Sequence, residues 1–409
     1  MRTQHIFAVL CFILLLSGCI GDKDSSTEDP IEKATFHPLI EREYQAPVTA
    51  NVRAMDIDGD GVDEVVFTEP LTGRVGWIEA TCISASCEAN VIEDLGSPVR
   101  ASVADLDGNG QLELIVADIG ILYPSNEKSG RILAIQGNIT TVLIEGLGRT
   151  VCAEPADLDG DNDLDLTICE FGHDEGSISW LEQEEDGNWT KHILDARPGG
   201  IHAYPTDIDL DGDMDIIASV SQNSEDVMLY WNDGFGNFQS TTLYNATDYW
   251  YGMSGLHLRD LDSDGDTDIV FTNGDTFDFD IPEGIDPNEL HGVAWLENDG
   301  TANFTYHDLI RTWGVYDTVM VDWDSDGDQD MLVISYQIES QFPANTLQNQ
   351  FTILLHDQGE WTPQAIPSDD NFRILSAATI DGMIIAGSHD PGEFGGTLHR
   401  LGTLQFNHE

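Results

Sequence analysis

The chain has 409 residues, of which 16 are Lys or Arg and 75 are Asp or Glu, so its formal net charge is −59. This charge excludes non-specific nucleic-acid binding, because phosphate contacts need clustered basic residues, and it opposes attraction to anionic lipid headgroups. Hydrophobic residues make up 41% of the chain, enough for a sizeable core, which argues against general disorder.

The first 18 residues have the pattern of an export signal. Arg2 gives a basic start, and residues 6–16 form an apolar run that is too short to span a bilayer as a mature helix. The run ends in Leu16-Ser-Gly-Cys19, which resembles the lipobox of prokaryotic lipoproteins, where cleavage precedes a cysteine that then carries lipid. The resemblance implies a signal peptide over 1–18, lipidation of Cys19, and a lipid-anchored protein of the cell surface or envelope. An ordinary cleaved signal is the alternative.

A polar segment follows over residues 19–33, and we interpret it as a flexible tether between the anchor and a folded domain. Export also permits disulfides. Four cysteines remain beyond the tether, and they allow three connectivities. We favour Cys82–Cys87, which closes a short loop, and Cys152–Cys169, which flanks a predicted hairpin symmetrically; buried free thiols are the alternative.

Six acidic segments repeat one pattern along the folded region. They cover residues 56–64, 105–113, 157–165, 207–215, 260–268 and 322–330. Oxygen-bearing side chains stand at positions 1, 3, 5 and 9, and position 6 is Gly or, once, Asn162, the residues that tolerate a left-handed bend. Ca²⁺ takes about six to eight hard oxygen ligands, which such a curled loop offers from alternate residues and from the position 7 carbonyl.

The pattern therefore predicts about six Ca²⁺ ions, each held within one loop. The predicted ligands are Asp56, Asp58, Asp60, Val62 and Glu64; Asp105, Asp107, Asn109, Gln111 and Glu113; Asp157, Asp159, Asp161, Asp163 and Asp165; Asp207, Asp209, Asp211, Asp213 and Asp215; Asp260, Asp262, Asp264, Asp266 and Asp268; and Asp322, Asp324, Asp326, Asp328 and Asp330. Affinity on the order of 10⁻⁴–10⁻³ M is expected, as for other extracellular calcium modules.

The loops join strands, because apolar β-favouring residues follow position 9 at once. Successive loops start 49 to 62 residues apart, which fits a four-stranded propeller blade. We predict an all-β fold over residues 34–409: a seven-bladed β-propeller with the calcium loops between strands A and B. The seventh unit, over residues 375–385, keeps two strands but lacks the acidic loop. Residues 34–40 supply a spare strand that closes the ring on this last blade.

Aromatic residues recur at two kinds of position. Trp residues recur on the predicted third strands, where blade core is favoured over a role as ligand platforms. Unusual side chains also collect in the connections that lead into first strands, on the face opposite the calcium loops. These are Arg100, Arg149, His202, Tyr204, Trp250, Tyr251, Trp313 and Tyr316. They suit a glycan or protein ligand, and the alternative is that they merely cap the channel.

The loops resemble FG-GAP/VCBS repeats, the units also found in the integrin alpha-subunit propeller. The resemblance implies a calcium-bound propeller, often on exported proteins that adhere to or bind other molecules. Glu64, Glu113, Asn109 and Asn162 depart from the family pattern, as does the last unit. We expect a monomeric binding or adhesion module rather than an enzyme. The alternative is a secreted polysaccharide-active enzyme, such as a lyase with His202 as base beside Arg149 or Arg100.

Overall fold

The computed structural model describes residues 34–38, 48–83, 89–246, 248–275, 281–336, 350–367, 373–388 and 401–406. The predicted signal peptide, the tether, Cys19 and Cys87 lie outside these residues, as does the side chain of Cys82. Within the described part, strands form seven four-stranded antiparallel sheets, and each sheet is one blade. The predicted all-β, seven-bladed propeller is therefore confirmed.

The strands follow one another outward in each of the first six blades. Blade 1 contains β2 (Asn51–Met55), β3 (Glu64–Glu69), β4 (Arg74–Ile78) and β5 (Asn90–Ile92); blade 2 contains β6 (Pro98–Ala104), β7 (Glu113–Asp118), β8 (Gly130–Gln136) and β9 (Ile139–Leu147); blade 3 contains β10 (Thr150–Ala156), β11 (Asp165–Glu170), β12 (Ser177–Gln183) and β13 (Trp189–Asp195). Blade 4 contains β14 (Gly200–Thr206), β15 (Asp215–Ser221), β16 (Glu225–Trp231) and β17 (Gln239–Ala246); blade 5 contains β18 (Met253–Arg259), β19 (Asp268–Asn273), β20 (Gly292–Asn298) and β21 (Phe304–Arg311); blade 6 contains β22 (Val315–Val321), β23 (Asp330–Ser335), β24 (Phe351–Asp357) and β25 (Glu360–Ile366).

Blade 7 closes the ring with both ends of the described chain. It contains β26 (Ile374–Ile380), β27 (Met383–Ser388) and β28 (Leu401–Phe406), and its outermost strand is β1 (Ala34–Pro38). β1 pairs antiparallel with β28, with Ala34 opposite Phe406 and Pro38 opposite Gly402. The predicted role of the N-terminal strand is confirmed. The pairing removes a free sheet edge, which would otherwise offer unpaired N–H and C=O groups.

The second strand of every acidic-loop blade is buried along its whole length, as in β3, β7 and β23. Strands buried on both faces need near-continuous apolar sequence, which explains the runs that follow position 9. Two Trp residues on third strands, Trp180 and Trp295, are 3% and 8% exposed. Each stacks at 4.5 Å between ring centroids on a histidine of its neighbouring fourth strand. These side chains therefore belong to the core.

One of the two predicted disulfides lies in the described residues. Cys152 of β10 and Cys169 of β11 are cross-strand neighbours, their Cα atoms are 5.0 Å apart, and their Sγ atoms are bonded. The bond ties the first strand of blade 3 to the second.

Helix is almost absent from the described residues. A four-residue helix, α1 (Pro287–Leu290), lies between β19 and β20, and short 3₁₀ turns occupy Ala80–Cys82 and Tyr249–Tyr251. No helix in this part of the chain has the length and apolar character needed to cross a membrane.

Glu225 is a buried carboxyl group that links blades 4 and 5. It is 1% exposed and accepts hydrogen bonds from the Met253 N–H at 2.7 Å and from Ser221 Oγ at 2.8 Å. Burial raises its pKa to about 8. The group therefore contributes stability that is fully present below its unfolded-state pKa and is lost as pH rises through about 8.

We predict that Glu225→Gln removes this loss of folding stability at high pH. The amide keeps an oxygen for both donors and carries no charge, so at pH 9 the variant is expected to exceed the parent in free energy of unfolding by at least about 1.4 kcal/mol, the equivalent of one pKa unit. Urea unfolding from about pH 5 to pH 9 measures the difference. The exposed Glu185→Gln serves as the charge-matched control. Parallel pH profiles for parent and Glu225→Gln would contradict the prediction.

Candidate functional site

The six acidic loops occupy equivalent places, between the first and second strands of blades 1 to 6. In each loop the position 9 acid is the first residue of the second strand, as Glu64 is of β3 and Asp330 is of β23. The seventh blade has only a two-residue turn at this place, Asp381-Gly382, with both residues at positive φ. The described chain thus carries the acidic loop in six blades, as the sequence predicts.

Two left-handed residues bend every loop. At position 6 the φ angles range from 72° at Asn162 to 101° at Gly212, which confirms the bend predicted there. Position 4 is also left-handed, and this was not predicted. Its residues and φ angles are Gly59 (80°), Gly108 (66°), Gly160 (79°), Leu210 (60°), Ser263 (63°) and Ser325 (63°). The glycines at position 4 of the first three loops could have predicted this second bend.

Leu210 is the bulkiest residue at a left-handed position 4, and its side chain is 64% exposed. A left-handed conformation costs a residue with a Cβ roughly 1–2 kcal/mol. We therefore predict that Leu210→Gly raises the free energy of unfolding by about 1 kcal/mol. Thermal and urea unfolding measure it. The matched control is Gly59→Leu, which is expected to destabilise by a similar amount; equal stability of all three proteins would refute the assignment of strain.

In five of the acidic loops, three carboxylates converge on a common point. In five described groups of three residues, one oxygen from each side chain lies within 4.8 Å of the others. These groups are Asp56, Asp58 and Glu64; Asp105, Asp107 and Glu113; Asp157, Asp159 and Asp165; Asp207, Asp209 and Asp211; and Asp260, Asp262 and Asp268. Positions 1, 3 and 9 supply the trio in four of them, and position 5 replaces position 9 in the fourth loop. Like charges this close destabilise a fold unless a cation compensates them.

Several carboxylate oxygens in these loops are buried without any hydrogen-bond partner. They are Asp163 Oδ1 in the third loop and both Asp209 Oδ1 and Asp215 Oδ2 in the fourth. A buried, unsatisfied carboxylate oxygen is costly, so native structures satisfy it with a donor or a cation. All-oxygen donors at spacings of a few ångströms fit a hard cation such as Ca²⁺ and lack the nitrogen or sulfur ligands typical of zinc.

The electrostatics of the loops agree with this fit. Burial, with repulsion from carboxylates of the same loop, raises the pKa of Glu64 and Asp215 to about 6 and that of Asp165 to about 7. Without a cation, these groups are held in surroundings that disfavour their charge. A divalent ion reverses that preference because its own charge dominates the site.

The position 9 carboxylate also fastens the loop to its blade. One oxygen of Asp165 accepts the N–H of Leu158 at position 2, at 3.0 Å, and the other accepts the N–H of Gln183 at the end of the third strand, at 2.9 Å. Asp268 makes the same two bonds with Leu261 and Asn298. The acid therefore holds the loop start against the third strand, a contact that the sequence pattern alone did not reveal.

Amide side chains at the ends of third strands connect consecutive loops around the ring. The bonds run to the position 2 carbonyl of the preceding blade's loop: Gln183 Nε2 to Leu106 O (3.1 Å), Asn232 Nδ2 to Leu158 O (2.7 Å) and Asn298 Nδ2 to Ile208 O (3.1 Å). We call these three bonds the amide links. They couple the loops of blades 2 to 5. In two of these links, those of Gln183 and Asn298, the amide residue follows a core Trp by three positions, a pattern that could have been recognised in the sequence.

A central channel of about 770 Å³ is lined by first strands of six blades. Four of the eight predicted ligand residues, Arg100, His202, Tyr204 and Tyr316, line it. The sequence analysis placed them in connections, and this was wrong: Arg100 lies within β6, His202 and Tyr204 within β14, and Tyr316 within β22. The reason is that these first strands begin earlier than the apolar pattern suggests, with a bulge near each start.

The other four predicted ligand residues have structural contacts. Arg149 is buried and donates to the carbonyls of Leu122 at 2.7 Å and Gly172 at 2.9 Å. Trp313 and Tyr251 are 1% and 4% exposed. The half-buried Trp250 accepts a bond at its carbonyl from the His291 ring at 3.2 Å. The structure therefore does not place these four among the residues that line the central channel.

Sequence reasoning missed several residues that line the channel, among them Arg53, His257, Arg259 and Asp317, and it also missed Glu154, which pairs with Arg53. Arg53 Nη1 lies 2.7 Å from Glu154 Oε1, and His257 Nε2 lies 3.0 Å from Asp317 Oδ1. A signal did exist, because Arg53, Glu154 and His257 each stand three residues before the first Asp of an acidic loop. Residues that precede the loop by three positions occupy equivalent places along their first strands, so they lie at a similar depth in the ring.

His202 is held on both sides. Its Nε2 lies 3.0 Å from Arg100 Nη2, and its Nδ1 lies 2.9 Å from Ser219 Oγ. Burial and the nearby Arg100 guanidinium hold its pKa well below the usual range, so the ring is neutral at physiological pH. A neutral ring here accepts from arginine at Nε2 and donates to serine at Nδ1.

Comparison with known families supports the repeat assignment. A family model described as an FG-GAP-like repeat matches residues 157–218 and 207–271, which span the third, fourth and fifth acidic loops. The chain is a seven-bladed β-propeller, and its residues 157–271 match the FG-GAP-like repeat. The family match covers only the central loops, while the first, second and sixth loops share their spacing and backbone bends. No curated protein sequence matches the chain.

Solved structures resemble this propeller in fold. Hydrazine synthase from Kuenenia stuttgartiensis aligns with a TM-score of 0.55 at 11% identity, over 90% of this chain and 97% of that one. BBS1N, from a complex with ARL6DN, aligns with a TM-score of 0.50 at 12% identity, over 91% of this chain and 97% of that one. At such identities the likeness concerns the fold alone.

Proposed function

We propose that this protein is a calcium-binding, surface-anchored β-propeller that acts as an adhesion or ligand-binding module. The observation that carries the proposal is the convergence of loop carboxylates to within 4.8 Å, together with buried, unpartnered oxygens on Asp163, Asp209 and Asp215. Ca²⁺ compensates such oxygens with flexible coordination at about 2.3–2.6 Å. Its role would be structural, because the loops lie between strands of the same blade and join neighbouring blades through the amide links.

In this proposal the ligand, a glycan or a protein segment, enters the central channel. Arg100, Tyr204 and Tyr316 offer charged, aromatic and hydroxyl groups, the mixture typical of binding cavities. The occupied ring nitrogens of His202 argue against the lyase alternative, because a general base needs a free nitrogen facing the substrate proton. Arg149, the other residue considered for that chemistry, is engaged with backbone carbonyls elsewhere.

Export and lipid anchoring belong to the same proposal. The disulfide between Cys152 and Cys169 supports an oxidising compartment. Metabolic labelling with a lipid precursor, comparing the parent with Cys19→Ala, tests the anchor. Labelling of the parent alone supports lipidation, whereas equal labelling of both, or of neither, rejects it.

A glycan array probed with the calcium-saturated protein, paired with a polysaccharide degradation assay, tests the binding function. We expect binding without turnover, and loss of binding when a chelator removes calcium. New unsaturated sugar ends would instead establish the lyase alternative. Arg100→Gln is the channel variant, and Lys128→Gln, which removes an equal charge from an exposed side chain outside the channel, is its control.

A further inference from the structure

The central channel concentrates positive charge in a chain whose net charge is −59. Three of the 16 Lys and Arg residues, Arg53, Arg100 and Arg259, line it. Two carboxyl groups, those of Glu154 and Asp317, lie beside these residues. A cluster of guanidinium groups deep inside an acidic protein needs a physical reason, because burying a charge is costly unless it is paired.

Ion pairs account for only part of the channel charge. Arg53 is paired with Glu154, and its Nη1 also donates to the Ala101 carbonyl at 3.0 Å. Asp317 faces His257 through one oxygen and accepts the Ala377 N–H at 2.8 Å through the other. Both carboxylates are therefore committed to partners.

Among the described residues, Arg100 and Arg259 donate hydrogen bonds only to backbone carbonyls and to the neutral His202 ring, although the Asp317 carboxylate lies close enough to attract the charge of Arg259. Arg100 donates to the Ile201 carbonyl at 2.8 Å and lies against the His202 ring. Arg259 Nη2 donates to the Thr318 carbonyl at 3.0 Å, while its Nη1 is buried with no hydrogen-bond partner. In the described part of the chain, neither guanidinium forms an ion pair with a carboxylate within 4.0 Å.

A guanidinium presents a planar fork of donors that matches a carboxylate in bidentate geometry. A channel of about 770 Å³ lies within the size range of sites for small molecules. We propose that the central channel binds the carboxylate group of a small organic acid or of an acidic sugar, with Arg259 and Arg100 as its charged partners. This inference rests on the proposed ligand-binding function and names the chemical group that the channel recognises.

Calorimetric titration of the calcium-saturated full chain tests the inference. The probes are glucuronate, its neutral methyl ester, and glutarate, all at fixed free calcium. We expect at least one acid to bind, and the ester to bind at least about tenfold more weakly than glucuronate if glucuronate is the acid that binds. Tighter binding of glucuronate identifies an acidic sugar, and tighter binding of glutarate identifies a free organic acid. Equal binding of ester and glucuronate, or no binding of either acid, overturns the inference.

Variants locate the site. Arg259→Gln and Arg100→Gln are each expected to weaken acid binding at least about tenfold, Arg259→Lys to retain part of it, and Lys128→Gln to leave it unchanged. Melting curves identify any variant that does not fold, and Arg259→Lys then carries the comparison. Full affinity in both Gln variants overturns the site. If the array identifies only neutral glycans as ligands and neither acid binds in the titration, this inference is overturned. The proposed ligand-binding function is then still supported.

Discussion

Chelation of calcium is expected to lower the melting temperature of this propeller by about 10–30 °C. If about six sites each stabilise the fold by ~1.4–2.7 kcal/mol at tenfold to hundredfold excess of Ca²⁺ over Kd, their sum is ~8–16 kcal/mol. A chain of this size shifts by roughly 1–2 °C for each kcal/mol, on an extrapolation from smaller domains. Differential scanning calorimetry with and without chelator measures the shift. An unchanged melting temperature after thorough chelation would refute the metal assignment.

A single-loop variant sharpens this prediction. Asp159→Asn removes one of the converging carboxylates of the third loop, so it is expected to destabilise the calcium-loaded protein by about 1–3 kcal/mol. In the calcium-free protein the sign reverses, because burial and repulsion from Asp161 already raise the pKa of Asp159 and disfavour its charge. Glu185→Gln carries the same charge change outside the loop. If Asp159→Asn shows the same sign with and without calcium, the loop does not act as a metal site.

Removal of residues 34–38 is expected to open the ring at blade 7. β1 pairs with β28 over five residues, and the buried Ala34 also donates its N–H to the Pro367 carbonyl at 3.1 Å. Loss of roughly four hydrogen bonds, at about 1 kcal/mol each, lowers the free energy of unfolding by about 4 kcal/mol. The exposed edge of β28 also offers a template for self-association. Calorimetry and light scattering compare a chain that begins at residue 34 with one that begins at residue 39.

A synthetic peptide of residues 34–40 provides the control for this experiment. Added in excess to the shortened chain, it is expected to restore the melting temperature by adding a strand to the open edge. A peptide of the same composition in scrambled order is expected to do nothing, because its side chains no longer match the two faces of the blade. An unchanged, monomeric shortened chain would show that closure does not depend on β1.

The acidic loops illustrate how far sequence reasoning reaches. Their spacing predicted the propeller, the number of loop-bearing blades and the left-handed bend at position 6, because a loop that curls around a cation is a local structure. Asn162 was recognised for the same reason. The bend at position 4 escaped because Leu210, Ser263 and Ser325 have no intrinsic preference for that conformation. There, contacts of the whole loop outweigh the preference of the single residue.

The channel illustrates where sequence reasoning stops. Arg100 and His202 are separated by about a hundred residues, yet they lie 3.0 Å apart because their strands occupy the inner positions of blades 2 and 4. Trp313 and Tyr251 had the same appearance in the sequence and are buried between strands. The sequence alone does not distinguish aromatic and basic residues that cover a core from those that line a cavity.

The sequence by itself determined the repeat, its all-oxygen donor sets and the strand that closes the ring, because each depends on residues close in the chain or on one unmatched β segment. Only the tertiary structure decided the contacts between distant segments: the amide links between neighbouring blades, the position 9 bonds to the third strand of the same blade, and the charges that meet inside the channel. These contacts depend on the closed ring, because it brings equivalent positions of strands that are far apart in the sequence close to one central axis.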